Sequence, residues 1–198
     1  MPGTRIVISS IALAAVLVAG AVGSDESFHA GRANEYAHQS SDQVTVGAKP
    51  YDSEELTAQA FGKKADLLKY GVLPVLVVIE NRRDKALDLR DLEVRLVAAD
   101  GRHADAVNPE DIPYLGKRAK RPSVTPYPPV PLPKKKNPLN SPDIVARAFS
   151  ARMLPPGDSA SGFFYFEAKP ESGDKIYLNG LRDARSGEAI MYFEFPLD

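Results

Sequence analysis

Between Val72 and Ile79 the chain carries no polar side chain, and most of the run is β-branched: VLPVLVVIE through Glu80. That is the pattern of a central strand covered on both faces. Pro74 has no N–H for a ladder, so it belongs near the start of that strand. A polar turn, Asn81–Lys85, follows. Leu92–Ala98 then alternates, with Leu92, Val94 and Leu96 on one side and Glu93 and Arg95 on the other, ahead of an Asp100-Gly101 turn. These two segments are expected to pair as a hairpin. Three further strand-like segments, Gly162–Ala168, Lys175–Leu181 and Glu188–Leu197, are separated by turn clusters at 170–174 and 183–187. Short strands joined this way predict an all-β sandwich.

Two helices interrupt the strands. Tyr51–Lys64 has Asp52 to cap it, Glu55 three positions later, Tyr51 to staple onto Leu56, and Gly62 near the stop, placing a helix over about 52–62. Its buried stripe would be Leu56, Ala60 and Phe61. Ser141-Pro142-Asp143 sets a cap and a first-turn proline ahead of one or two further turns.

Ahead of these lies a 17-residue uncharged stretch, Ile6–Val22, behind Arg5. As a helix it would reach about 25 Å, short of the ~30 Å bilayer core. It ends in Ala21-Val22-Gly23-Ser24, the small-residue pattern of a cleavage site. Residues 1–23 therefore read as an export signal, and the destination as periplasmic or secreted. The alternative is an uncleaved anchor, residues 6–22, in the inner membrane. Residues 24–43 are polar with no apolar period and read as a flexible tether, with the folded domain spanning 44–198.

Eight of the sixteen aromatic residues fall in the last strands. Alternation assigns Phe164, Phe166, Phe193 and Phe195 to the core. Phe163, Tyr165 and Tyr192 form an outer stripe, expected to be covered by the chain's own helix, the alternatives being cover by the proline loop or exposure as an interface.

Composition narrows the classes. The 198 residues carry a net charge of −1 and no cysteine, which excludes disulfides, thiolate metal sites and a lipidated cysteine. The near-neutral balance argues against nucleic acid as a partner. One segment departs from the average. Pro122–Pro142 contains eight of the seventeen prolines, and no acidic residue occurs from Ile112 to Pro142. Such chain favours extended polyproline geometry, about 65 Å for twenty-one residues at ~3.1 Å each. Within the loop 116–142, the residues suited to a partner are Lys117, Arg118, Lys120, Arg121, Lys134, Lys135 and Lys136, with Tyr127 and Leu132 set between prolines. They would serve an envelope protein with an aromatic groove, or an anionic envelope polymer. A plain surface crossover is the competing reading.

Catalytic chemistry is sparse. Gly157-Asp158-Ser159 resembles a nucleophile loop, but outside the tether only His103 could act as base, and a turn entering a strand explains the motif. Asp100, His103 and Asp105 surround a turn without paired-histidine spacing. The inventory predicts no cofactor and a non-enzymatic module, with a hydrolase on Ser159 or His103 as the alternative.

The export leader, the apolar strand ending in Asn81, and the Leu154-Pro155-Pro156-Gly157 turn into Gly162-Phe163-Phe164-Tyr165-Phe166 together resemble exported bacterial immunoglobulin-like domains. The resemblance spans Val72–Leu197. It implies a mainly β, immunoglobulin-like β-sandwich with one or two short flanking helices and a long proline-rich loop, in an adhesive or accessory envelope role.

Overall fold

The computed structural model describes residues 28–63, 65–117 and 137–197. Eleven strands occur among them: β1 (Ala37–Ser41), β2 (Val44–Pro50), β3 (Val72–Asn81), β4 (Leu87–Asp88), β5 (Glu93–Val97), β6 (His103–Asp105), β7 (Met153–Leu154), β8 (Ser159–Glu167), β9 (Lys175–Asn179), β10 (Arg182–Asp183) and β11 (Phe193–Pro196). They form a central sheet β1-β2-β3-β8, an outer sheet β11-β9-β5-β6 and a minor sheet β10-β4-β7, paired antiparallel throughout. The chain is a mainly β sandwich with short helices.

β3 is the middle of three layers. Leu73, Val75, Val77 and Ile79 face the outer sheet and meet Val94, Leu96, Ile176, Leu178, Phe193 and Phe195. Val72, Leu76 and Val78 face the other way, into a second core with Ala60, Phe61, Leu67, Ile112, Ile144, Phe163 and Tyr165. A strand flanked by two cores has no polar side, which accounts for the unbroken apolar run. Pro74 is tolerated because β2 pairing ends at Pro50↔Val75, and on that side the Pro74 carbonyl accepts the Tyr51 N–H at 2.8 Å. The N–H it lacks would point beyond the end of the β2 ladder.

Strands β3 and β5 do not form a hairpin. β3 pairs with β2 and β8, and β5 with β6 and β9 in the other sheet. The intervening chain crosses between layers through β4, because β3 needs partners on both edges and a cover on both faces. The aromatic alternation holds for most positions. Phe166, Phe193 and Phe195 lie in the sandwich core, while Phe163 and Tyr165 are buried beneath the helical layer. Phe164 differs: it is only half-buried at the sandwich margin, stacked on Phe149 with centroids 5.3 Å apart. Tyr192 stays 51% exposed.

From Phe28 onward the polar stretch is not a tether. Ala33 is fully buried, its N–H donates to Glu80 Oε1 at 2.9 Å, and Phe28 packs on Tyr51 and Phe163. β1 pairs along all of its length with β2 through a turn at Asp42 and Gln43, both at positive φ as two-residue hairpin turns demand. This strand lacks an apolar period because it is a sheet edge with neither face fully covered; backbone pairing holds it.

Helix α1 (Glu54–Phe61) starts one residue later than the capping pattern suggests. Ser53, not Asp52, is the cap, its Oγ accepting the Leu56 N–H at 3.3 Å. The buried stripe is Thr57, Ala60 and Phe61, with Leu56 half-buried. Thr57 enters the interior because its hydroxyl donates to the Ser53 carbonyl at 3.0 Å. Helix α2 (Pro142–Ala146) begins where expected, with Pro142 in its first turn.

Asn81 closes one end of the sandwich. Fully buried, its Nδ2 donates to the carbonyls of Lys85, Leu154 and Pro155 at 2.8, 3.1 and 3.0 Å, and its Oδ1 accepts the Arg83 N–H. Nearby, buried Asp183 accepts the backbone N–H groups of Arg185 and Ser186 and pairs with Arg83 at 3.2 Å. The backbone bonds, led by the one from Ser186, hold its carboxyl below the usual range. Asn81→Ala removes the side-chain amide that reaches three carbonyls and is expected to cost about 2–4 kcal/mol. Urea unfolding reads this as a lower midpoint at unchanged slope; an unaltered midpoint would mean that water replaces the amide at no cost.

Candidate functional site

The helical layer carries an open groove of about 810 Å³ between the end of α1 and the chain leading into α2. Phe61, Gly62, Lys63 and Ala65 form one wall; Pro138, Asn140, Ser141 and Pro142 form the other. α1 is seated by Phe61, whose ring lies 4.7 Å from Phe163 and 5.9 Å from Tyr165. Gly62, at φ 80°, ends the helix and turns the chain along the groove.

The second wall hangs on β8. Tyr165 Oη donates to the Ile144 carbonyl at 2.7 Å, and Phe163 exchanges backbone bonds with Arg147 and Phe149 at 2.9 and 3.1 Å. Residues 147–149 thereby pair with the edge of β8 that β3 leaves open. Burial pushes the Tyr165 phenol well above its ordinary pKa, so it acts as a fixed donor. Tyr51 is likewise pushed up, to about 12, mainly by burial. Arg147 places its guanidinium 5.3 Å from the Phe28 ring and 3.8 Å from Asp143 Oδ1, so the cation is turned toward ring and carboxylate.

Asn137 and Pro138, at the return root of the proline-rich loop, line the groove. On the near side the chain leaves the described residues at the end of a 3₁₀ turn, Ile112–Lys117. It returns at Asn137, whose Nδ2 donates to the Pro113 carbonyl at 2.8 Å and whose Oδ1 accepts the Leu139 N–H. That clasp brings departure and return together. Two large apolar side chains stand exposed in these elements, Tyr114 at 38% and Val145 at 49%. Of the partner-binding candidates, Lys117 is the last residue of the 3₁₀ turn. Arg118, Lys120, Arg121, Tyr127, Leu132, Lys134, Lys135 and Lys136 lie outside the described residues. Sequence reasoning missed the groove and the Asn137 clasp. An asparagine beside proline reads as turn chemistry, and only the fold shows that it grips Pro113.

Ser159 and His103 are not brought together. Ser159 begins β8 opposite Glu80, while His103 lines a cleft with Glu167 and Ala168 at the strand's far end. Eight steps of ~3.4 Å separate those ends by about 27 Å. Gly157, at φ 80°, and Asp158 form the turn into the strand. Among the described residues no three His, Asp or Glu side chains gather in a geometry that could hold a metal, and no helix is long and apolar enough to cross a membrane.

No known family model matches the chain, and no curated protein does. Several solved structures show partial likeness. A candidate lipoprotein of Bacillus subtilis, YcdA, aligns at 14% identity over 82% of this chain and 39% of its own, with a TM-score of 0.38. This chain therefore spans well under half of that protein. The secreted protein MPT63 of Mycobacterium tuberculosis aligns at 15% identity over 83% and 95%, with a TM-score of 0.35. A third, the candidate ApaA protein of Bordetella pertussis, aligns at 12% identity over 82% and 96%, with a TM-score of 0.37. The fold assignment rests on this chain's own sheets.

Tyr165→Phe tests how the groove is held. Losing the hydroxyl leaves the Ile144 carbonyl without its donor and is expected to cost about 1–2 kcal/mol. Amide exchange should quicken around α2 while β3 stays protected; unchanged exchange at 142–149 would show that the bond does not secure the wall.

Proposed function

We propose that the chain is an exported, non-enzymatic binding or accessory module of the bacterial cell envelope, built on an immunoglobulin-like sandwich. It contacts an envelope protein or an anionic envelope polymer at its proline-rich loop. The observation that carries this reading is the apolar groove beside the clasped loop roots, with Tyr114 and Val145 exposed in the same elements. Apolar side chains left bare beside a basic segment suit a partner that brings both apolar contact and negative charge.

Export follows from the leader. The mature chain should begin at Ser24, which intact-mass measurement on the envelope fraction reads directly; retention of residues 1–23 would mean an anchored protein instead.

For the loop, the test is cross-linking in native envelopes, comparing the intact chain with one lacking Thr125–Pro133. Removing those nine residues should abolish cross-linked partners while the thermal midpoint stays within a degree or so of the parent. Equal cross-linking yield would reduce the loop to a connector.

A further inference from the structure

At the end of the sandwich opposite Asn81, the turn before β9 borders a cleft of about 330 Å³ beside the start of β3. Leu73, Leu197, Pro50 and Pro170 supply its apolar surface. Its charged groups among the described residues are all carboxylates, Asp52, Glu171 and Asp174, with Ser172 beside them. Asp174 is the unusual member. It is 4% exposed; its Oδ2 accepts the Glu171 N–H at 3.0 Å, and its own N–H donates to the Glu171 carbonyl at 3.3 Å. Gly173, at φ 86°, lets the chain turn tightly enough for both bonds. The Leu197 N–H donates to the Asp174 carbonyl at 2.9 Å and ties this turn to the chain leaving β11. The carboxylate is fixed in place, yet its buried Oδ1 meets no donor among the described residues. A buried carboxylate oxygen in that state calls for a donor from outside the chain.

We infer that this cleft binds a primary alkylammonium, the group carried by lysine side chains and by free polyamines. Asp174 Oδ1 accepts from the ammonium, and the leucines and prolines receive its alkyl stem. A single free carboxylate oxygen suits a point donor, whereas a guanidinium is best met by two, and Oδ2 is already committed to Glu171. Asp52 and Glu171 add negative charge, and no described Lys or Arg lines the cleft to neutralise it. Among the described residues the carboxylates do not gather in a geometry that could hold a metal, and leucine and proline complement methylenes rather than a hydrated ion. The neighbouring cations are engaged elsewhere. Arg102 binds Asp100 through Nε and stands 4.0 Å from Glu171, sensing Asp174 only at longer range. With Lys169 it lines the adjoining cleft around His103. Lys175 pairs with Glu194, and Lys49 lies over the Tyr51 ring. The inference is independent of the proline-rich loop: this cleft meets α1 ahead of its start, at Asp52, and the groove meets it at its end, at Gly62.

Titration of the full chain with cadaverine and, separately, with Nα-acetyl-lysine methylamide provides the test, read from the amide chemical shifts of Glu171, Asp174 and Leu197. Saturable shifts are expected. A stronger response to the lysine amide points to a lysine side chain on a partner protein, and a stronger one to cadaverine to a free polyamine. Asp174→Asn removes the charge and puts a donor where the ammonium would sit, so it should weaken binding about tenfold. Asp52→Asn, at an exposed position, should weaken it severalfold at an unchanged thermal midpoint, and carries the test should Asp174→Asn not fold. Pentanol and Nα-acetyl-arginine methylamide should leave the shifts as they are. No saturable shift with either ammonium, meaning that water alone meets Oδ1, would overturn the proposal. So would an equal response to pentanol or the arginine amide, the same shifts with calcium chloride, or affinity indifferent to the substitutions.

Discussion

Everything in this fold depends on β3 having no side that water reaches. Val72, Leu73, Val75, Leu76, Val77, Val78 and Ile79 are each at most 3% exposed, divided between two cores. Burying one such side chain is worth about 1.5–3 kcal/mol, so this strand alone supplies a large share of the driving force. The requirement propagates outward. One face must be covered by a second sheet, the other by α1, α2 and the 3₁₀ turns, and β8 must carry aromatics on both sides to match its neighbour. In the register, the pairs Leu76↔Phe163 and Leu73↔Phe166, three positions apart, serve opposite cores. A chain without cysteine can hold a sandwich this way because neither core needs a covalent staple.

The densest polar ties sit where the strands stop. Asn81 gathers the turn after β3 and the turn before β8, using both side-chain groups and both backbone groups. Asp183 does the same for the turn after β10, with Arg83 and Lys85 balancing its charge at 3.2 and 3.7 Å. Arg83 also reaches Asp42 in the β1–β2 turn, so one guanidinium links three connections. Turn residues that satisfy their own backbone leave the apolar strands free to set the register.

How much of this was legible depends on whether a residue's neighbours are local. β3, α2 and the alternation of β8 could be read directly, since burial on two faces, a proline in the first helical turn and period-two aromatics are all local signatures. The pairing of β3 was not, because a strand with two apolar faces gives no cue to its edge partners, and nearness in sequence wrongly favoured β5. β1 stayed hidden for the opposite reason: an edge strand of Ala37–Ser41 has no apolar period to detect. Ser53 and Asp52 are both good caps, and only the backbone decides between them. The groove is a product of tertiary placement. Phe61 was legible as a buried residue, whereas its meeting with Pro138 and Pro142 was not.

The composition of the proline-rich loop bears on function because the fold does not require it. The Asn137–Pro113 bond fixes only where the segment leaves and returns. Closing a surface loop costs little more as it lengthens, about 0.6 kcal/mol for each doubling, so the sandwich constrains its length weakly and its residues less. Glycine, serine and aspartate would join the same two points. Instead the stretch from Ile112 to Pro142 excludes every acidic residue and concentrates proline and lysine. Proline lowers the entropy a segment must give up when it is captured in an extended form, and cations in a stretch without acidic residues act over roughly a Debye length, ~8–10 Å. Both properties favour association. In the proposed binding role, that composition is the chemistry of a recognition element.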